Sequence, residues 1–309
     1  MRAAYRPVLI FCLLWVAAPA QAEWWSCLKG NPDPATARGW RLQPHEPNRL
    51  GYTFDDSGQF MDFTVSVKFA IFEYCFQQWV DPRFSVDFAF TGRLGQYFER
   101  DSAPVIGKRF NPELIFARFR HERHGMFEAS YAHESNGQRV TDLASYLQTQ
   151  ATLEKPEYAD DYISRGWDFL RFSIASPEYQ PHKDTPRIQL WFTGKWFLRN
   201  GLLQSTPEEY SDWENDPEGK PRKEVDGLTT GIRYRRNTGW HGITQVTANL
   251  SHTTGYKEPF RYNTVRAEGG LKIIDVPVVL WWAHGYNADL VRYYNKAKYF
   301  GIAVVIENF

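Results

Sequence analysis

Apolar and polar residues alternate with a period of two through most of the chain after residue 58. The clearest run sets large apolar residues between small or polar ones: Phe63, Val65, Val67, Phe69 and Ile71 against Asp62, Thr64, Ser66, Lys68 and Ala70. Similar alternation returns at 84–91, 187–192 and 264–273. Successive side chains on a β-strand point to opposite faces, so each run predicts a strand with one apolar face.

The pattern predicts twelve strands in all. They lie near 60–74, 84–97, 112–120, 125–134, 167–176, 186–198, 225–236, 242–252, 261–273, 278–286, 289–296 and 298–309. The connections 136–163 and 199–224 are long and polar and alternate with tighter ones, as extracellular loops alternate with periplasmic turns in membrane barrels. An even strand number suits a closed bacterial barrel with both termini on one side.

Two environments fit apolar strand faces: the core of a soluble β-sandwich, or the lipid around a barrel. Residues 1–22 have the charged start, apolar run and small-residue cleavage site of a secretory signal peptide. The chain is 17% aromatic, its mean hydropathy is −0.52, and its last alternating run ends at Phe309. The sequence therefore favours a twelve-stranded antiparallel transmembrane β-barrel of the outer membrane of a Gram-negative-type bacterium. It divides into a signal peptide (1–22), an N-terminal periplasmic segment (23–58) and the barrel (59–309).

Charge and cysteine content add little. The chain has 36 basic and 36 acidic residues, so no net charge points to nucleic acid as a partner. After removal of the signal peptide, Cys27 and Cys75 are the remaining cysteines. They form either a disulfide in an oxidising compartment or two free thiols, and the sequence leaves both open.

Candidate chemistry lies at His133 and Ser135, which are two residues apart in a predicted strand. Both side chains therefore emerge on one face, with their Cα atoms about 6.6 Å apart, so that the imidazole can reach the hydroxyl. Phe127, Ala129 and Tyr131 share that face. A hydrolytic pair on an apolar strand face makes chemical sense if the face contacts lipid.

From about Pro47 to Phe309 the chain resembles the outer membrane phospholipase A family. The resemblance rests on four motifs: Phe110-Asn111-Pro112-Glu113, His133-x-Ser135-Asn136-Gly137, Ser164-Arg165-x-Trp167, and the final stretch from Gly285-Tyr286 to Phe309. It implies a calcium-dependent serine hydrolase that cleaves acyl esters of phospholipids and lysophospholipids and is a homodimer when active.

The resemblance implies a role for each matching residue. Ser135 would be the nucleophile, His133 the general base, and the Gly137 N–H part of the oxyanion hole. Asp168 stands where the best-known members carry Asn. A carboxylate is the more usual orienting group and would stabilise the imidazolium, but on a lipid-side face it needs a hydrogen-bonding partner.

The implied Ca²⁺ ligands are the Ser164 hydroxyl, the Gln138 carbonyl and Ser102 from a second subunit. Oxygen ligands suit calcium. The segment 139–163 is longer than in familiar members, and Asp160 and Asp161 are candidates for the supporting carboxylate, with solvated loop acids as the alternative.

Three classes of function remain: a membrane acyl hydrolase, a non-enzymatic barrel (pore or structural protein) with a vestigial site, and a soluble esterase. The apolar strand faces and the terminal strand disfavour the third. Calcium-dependent release of fatty acid separates the first class from the second.

Overall fold

The structure is a computed structural model. It describes residues 42–56, 58–71, 84–98, 105, 107–121, 125–180 and 185–306. The predicted signal peptide, most of the predicted periplasmic segment, Cys27, Cys75, Ser102 and Phe309 lie outside these residues.

Within the described residues, thirteen strands form one sheet in which every pairing is antiparallel. They are β1 (Gln43–Pro44), β2 (Asn48–Asp55), β3 (Gly58–Ala70), β4 (Phe84–Tyr97), β5 (Arg109–His121), β6 (Gly125–Ser135), β7 (Gly166–Ala175), β8 (Arg187–Phe197), β9 (Gly227–Trp240), β10 (Ile243–Gly255), β11 (Asn263–Ile273), β12 (Val276–Gly285) and β13 (Ala297–Ile306). The two-residue β1 pairs with the end of β3 beside β2.

The twelve strands β2 to β13 close into a barrel. Strands adjacent in the chain pair with each other, and β2 pairs with β13 to join the first strand to the last. Each of these described strands therefore has a partner on both sides, which removes the exposed edges of an open sheet. The prediction of a closed twelve-stranded antiparallel barrel is confirmed.

The exterior of the barrel is apolar and its interior is polar. On β13, Ile302, Val304 and Ile306 are exposed, whereas the alternating Ala303 and Val305 are buried. Ion pairs line the interior, among them Arg171–Glu128 between the neighbouring strands β7 and β6 at 2.5 Å and Arg49–Glu268 between β2 and β11 at 2.7 Å. Apolar-out and polar-in is the arrangement of barrels that stand in lipid.

Folded connections close one end of the barrel, and we call residues 136–165, 198–226 and 286–296 the cap. The cap contains α1 (Leu143–Thr152) and α2 (Arg222–Val225), and α1 begins where the Asp142 side chain accepts the Ser145 N–H at 2.9 Å. Its apolar core joins Val225, Leu290 and Tyr293 to the inward-facing Trp167. Within the described ranges no helix has the length and apolar composition needed to span a bilayer.

Two of the predicted segment assignments are wrong. Residues 48–55 form β2, so the barrel begins inside the segment assigned to the periplasm. Residues 289–296 were predicted as a strand but form turns in the cap, where Leu290 and Tyr293 are buried. The apolar residues of 289–296 were mistaken for a strand face, whereas the alternating Leu50, Tyr52 and Phe54 of β2 were overlooked because the surrounding segment has a loop-like composition.

Candidate active site

Strands β6 and β7 bring the predicted catalytic residues to one outward face near the cap. In the antiparallel register His133 lies opposite Asp168, and Ser135 lies opposite Gly166. Opposed residues on neighbouring strands have Cβ atoms about 5 Å apart, so this register alone makes the histidine and the aspartate contact. The preceding outward residue pair on the two strands is Tyr131 and Leu170.

The His133 ring contacts Asp168 directly: Nδ1 lies 2.7 Å from Oδ1. An ionised carboxylate can only accept hydrogen bonds, so Nδ1 carries the proton and Nε2 is left as the acceptor. The His133 side chain is 16% exposed, so one edge of the ring remains accessible. The Ser135 hydroxyl, half-buried two residues on, forms no hydrogen bond with any residue that the structure describes.

The second oxygen of Asp168 is held by neutral donors. The Tyr131 hydroxyl donates to Oδ2 at 2.5 Å, and the Leu203 and Gln204 N–H groups donate to it at 2.9 and 3.0 Å. Asp168 is only 1% exposed. The carboxylate therefore has the hydrogen-bonding partners that its outward position requires.

A tight turn at residues 201–204 supplies those donors. The Gly201 N–H donates to the Gln204 carbonyl at 2.9 Å, and the Leu202 N–H donates to the Tyr131 hydroxyl at 2.6 Å. A Cβ on Gly201 would fall 1.7 Å from Asp168 Oδ2, so only glycine allows the turn to pack here. Leu202 and Leu203 remain 86% and 64% exposed beside the site. Sequence reasoning missed this turn because it is more than thirty residues from Asp168; Tyr131 was visible as a residue on the same face.

Asn136 and Gly137 shape the chain just after Ser135. The Asn136 amide donates to the Ile163 carbonyl at 2.8 Å and its oxygen accepts the Arg165 N–H at 2.9 Å. These bonds connect the segment that follows β6 to the segment that precedes β7. Gly137 is exposed at φ +60°, a left-handed conformation that glycine adopts without steric cost.

Oxygen atoms that could bind a metal ion lie next to the turn at Gly137. The buried Ser164 hydroxyl donates to a Glu208 carboxylate oxygen in a short hydrogen bond, and Gln138 follows Gly137. The hydroxyl and carboxylate oxygens of this pair suit Ca²⁺, and the Gln138 carbonyl is the further ligand that the resemblance implies. Glu208 is a residue that sequence reasoning missed, because it comes from the second long connection and no local motif marks it.

Asp160 and Asp161, the two acidic residues of the cap that the sequence made candidates for supporting calcium, pair with an arginine. Asp160 accepts the Tyr146 hydroxyl at 2.8 Å, and Arg292 lies 3.6 Å from Asp160 and 3.4 Å from the buried Asp161. The Asp160 bond and burial raise the pKa of Tyr146 to about 12, with burial as the larger cause. These acids therefore cross-link the cap.

Arg165, within the Ser164-Arg165-x-Trp167 motif, connects the segments of the cap to one another. Its guanidinium forms a bidentate pair with Glu214 at 2.5 and 3.0 Å and donates to the Val291 carbonyl at 3.1 Å. Hydrogen bonds and charge from Glu214 hold the pKa of this buried arginine above its usual value, against the effect of burial. The motif thus links all three parts of the cap to the start of β7.

A second cluster of metal-ligating residues lies inside the barrel. His45, Glu113 and Glu128 have ligand atoms within 4.8 Å of one another. Arg171 already lies between them, 2.7 Å from Glu113 and 2.5 Å from Glu128. The positive charge that a metal would supply is therefore present, and the cluster forms part of the interior ion-pair network.

Solved structures with this architecture are known. The chain superposes with TM-score 0.59 on outer membrane phospholipase A from Escherichia coli, covering 91% of this chain and 95% of that one, at 14% identity. An active-site mutant of the same protein at pH 6.1 gives TM-score 0.59, 92% and 96% coverage and 14% identity. The Salmonella typhi outer membrane phospholipase dimer with bound calcium gives TM-score 0.60, 88% and 94% coverage and 14% identity. No protein-family model matches the chain, and no curated protein sequence matches it. At this identity the likeness establishes the fold: the chain has the closed twelve-stranded barrel of the outer membrane phospholipases.

Proposed function

We propose that the protein is a lipid acyl hydrolase, a phospholipase A that cleaves ester bonds of phospholipids and lysophospholipids with Ser135, His133 and Asp168. The observation that carries the proposal is the 2.7 Å contact of His133 with Asp168 on the outer, apolar face, with Ser135 next on the same face. A proton acceptor and a hydroxyl on that face meet substrate where acyl chains lie.

In the proposed reaction, His133 Nε2 removes the proton from the Ser135 hydroxyl as the oxygen attacks the ester carbonyl. Asp168 stabilises the imidazolium that forms. The same proton then passes to the leaving alcohol oxygen as the acyl-oxygen bond breaks. Water repeats the sequence on the acyl-enzyme and releases the fatty acid. The Gly137 N–H, two residues after the nucleophile, would donate a hydrogen bond to the developing oxyanion.

Calcium is the proposed cofactor. Ser164 and the Gln138 carbonyl would hold it, together with Ser102 of a second subunit, which makes the active form a homodimer. The nearby Glu208 adds a carboxylate oxygen to this set. Ca²⁺, when bound, would supply positive charge that stabilises the developing oxyanion.

The proposed location is the outer membrane, with the cap outside the cell and the apolar exterior in lipid. Of the alternatives with a vestigial site, a pore is disfavoured because charged interior side chains pair with one another, and a structural barrel is distinguished by the absence of fatty acid release. Arg171 bridges β5 and β6, and Arg49 on β2 reaches Glu268 on β11.

The test uses the full chain, purified in nonionic mixed micelles with phosphatidylcholine, and measures fatty acid release with calcium and with chelator. Ser135→Ala should abolish release, and chelator should suppress wild-type release without unfolding the barrel, which backbone hydrogen bonds close. Ser251→Ala, a strand serine far from the site, is the matched control and should retain activity. Equal release from wild type and Ser135→Ala would exclude the nucleophile, and release unaffected by chelator would exclude the calcium role.

A further inference from the structure

A groove of about 550 Å³ runs along the rim of the barrel beside the candidate active site. Leu198 forms part of its wall, and the Leu198 N–H donates to the Asp168 carbonyl at 2.8 Å. Trp196 lies opposite Leu170, the next outward residue after Asp168 on β7. Trp196, on one wall of the groove, therefore lies on the same outward face as His133, about two strand spacings or ~10 Å away.

Aromatic rings form one side of the groove. Trp196 stacks on Tyr256 with ring centroids 5.0 Å apart and planes at 13°, and Phe197 stacks behind at 6.3 Å. Trp196 is 58% exposed although it comes at the end of a strand. Exposed amphipathic rings at strand ends suit the boundary between acyl chains and headgroups.

Basic side chains form the other side. Arg199, Lys223 and Lys257 line the groove with one acid, Glu209. Glu209 accepts the Trp167 indole N–H at 3.2 Å, and Lys257 pairs with Glu224 at 2.7 Å.

Arg199 and Lys223 form no ion pair with any described residue. Two cations at the mouth of the groove are thus available to an anion from outside. Arginine and lysine are the side chains that most often bind phosphate.

We infer that this groove binds the phosphate of the phospholipid substrate, and that Arg199 and Lys223 are specificity-determining residues. The inference rests on the proposed hydrolase and adds its headgroup subsite. The phosphate would lie against the two cations and the glycerol against Trp196 and Tyr256. The glycerol backbone separates an ester from the phosphate by several bonds, which matches a subsite next to the reacting groups. Free phosphate would use the cations but leave the aromatic side of the groove without a partner.

The first experiment compares two substrates of the Arg199→Gln/Lys223→Gln variant in nonionic micelles. For phosphatidylcholine we expect KM to rise about tenfold with kcat unchanged, because two charge-assisted contacts are lost in binding. For p-nitrophenyl palmitate, which carries no phosphate, both constants should match wild type. The control is Lys155→Gln/Lys296→Gln, which removes the same charge from exposed positions elsewhere at the cap end. An equal change for both substrates, or no change for either, would overturn the inference.

The second experiment needs no turnover. Equilibrium dialysis of monomeric lysophosphatidylcholine against the Ser135→Ala protein should show affinity about tenfold weaker when Arg199 and Lys223 are replaced. Glycerophosphocholine and inorganic phosphate, which leave the aromatic side of the groove unfilled, should both compete only weakly. Full competition by inorganic phosphate would make the groove an anion site without lipid selectivity and contradict the inference. Loss of lysolipid binding in the double variant, together with an inactive wild type, would refute the hydrolase and keep the phosphate subsite.

Discussion

The barrel wall carries a histidine–carboxylate pair on each of its two faces. Outside, His133 Nδ1 lies 2.7 Å from Asp168, and inside, His45 Nε2 lies 3.3 Å from Glu113. Both carboxylates are almost fully buried. The two pairs combine the same kinds of side chain, although the inner contact is longer, so their surroundings must decide what each can do.

The surroundings differ in charge. Inside, Arg171 lies 2.7 Å from Glu113 and contacts Glu128 as well, so the negative charge beside His45 is already balanced. Outside, Asp168 is held by a hydroxyl and two backbone N–H groups, all neutral. The negative charge of Asp168 is therefore available to stabilise an imidazolium, whereas the negative charge of Glu113 is already balanced by Arg171. The outer pair is therefore suited to proton transfer, and the inner pair to linking neighbouring strands.

The largest effect should come from removing each histidine in turn. His133→Ala should lower kcat about 10³-fold or more, since the base is lost. His45→Ala should keep most activity, because it removes an interior hydrogen bond far from the outer face. Fatty acid release from micelles measures both, with circular dichroism to verify folding. Comparable losses of kcat from the two substitutions would show that the two histidine–carboxylate pairs do not differ in function.

Next in size is removal of each carboxylate charge. Asp168→Asn should remain folded and active, with kcat lowered about 10- to 100-fold, the range of a lost charged hydrogen bond. Glu113→Gln should leave kcat near wild type but lower the urea midpoint, because Arg171 loses a buried partner. Kinetics and urea titration of both variants check the assignment. The opposite pattern, a stability loss outside and a rate loss inside, would contradict it.

A smaller effect is expected from Gly201→Ala. The added Cβ must displace the turn or the Asp168 carboxylate, so kcat should fall about tenfold through misplacement of His133. Gly239→Ala is the matched control, since a Cβ there meets nothing within 4 Å. Rates for the two glycine variants settle the point, and an unaffected Gly201→Ala enzyme would show that the turn does not position the carboxylate.

The smallest effect should be that of Tyr131→Phe. One hydrogen bond to Asp168 is lost and two backbone donors remain, so kcat should fall about 2- to 10-fold with KM unchanged. Tyr52→Phe, which loses a 2.6 Å bond to Gln59 elsewhere on the barrel, should not alter kcat. Michaelis–Menten curves distinguish the two, and a change confined to KM would assign Tyr131 to substrate binding.

Local pattern was enough to predict most strands and the shared face of His133 and Ser135 within one of them. The period-two alternation of β6 places His133, Ser135 and Tyr131 on one face without any knowledge of the partners. The same reasoning failed at β2, whose alternating Leu50, Tyr52 and Phe54 lie in a segment of loop-like composition, and at 289–296, where apolar residues that pack in the cap were assigned to a strand. In both places the deciding contacts come from strands or loops distant in the chain.

By itself the sequence determined the strand alternation, the polar and apolar faces and the outward direction of His133 and Ser135, because each depends only on backbone geometry over a few residues. Tertiary structure alone decided that Asp168 lies opposite His133, since register comes from the pairing of β6 with β7. It also decided that the turn at 201–204 neutralises the cost of a buried carboxylate, that Glu208 reaches Ser164, and that Arg171 occupies the interior pair. Those contacts join residues up to 126 positions apart, as between Arg171 and His45, and no local pattern encodes such distances.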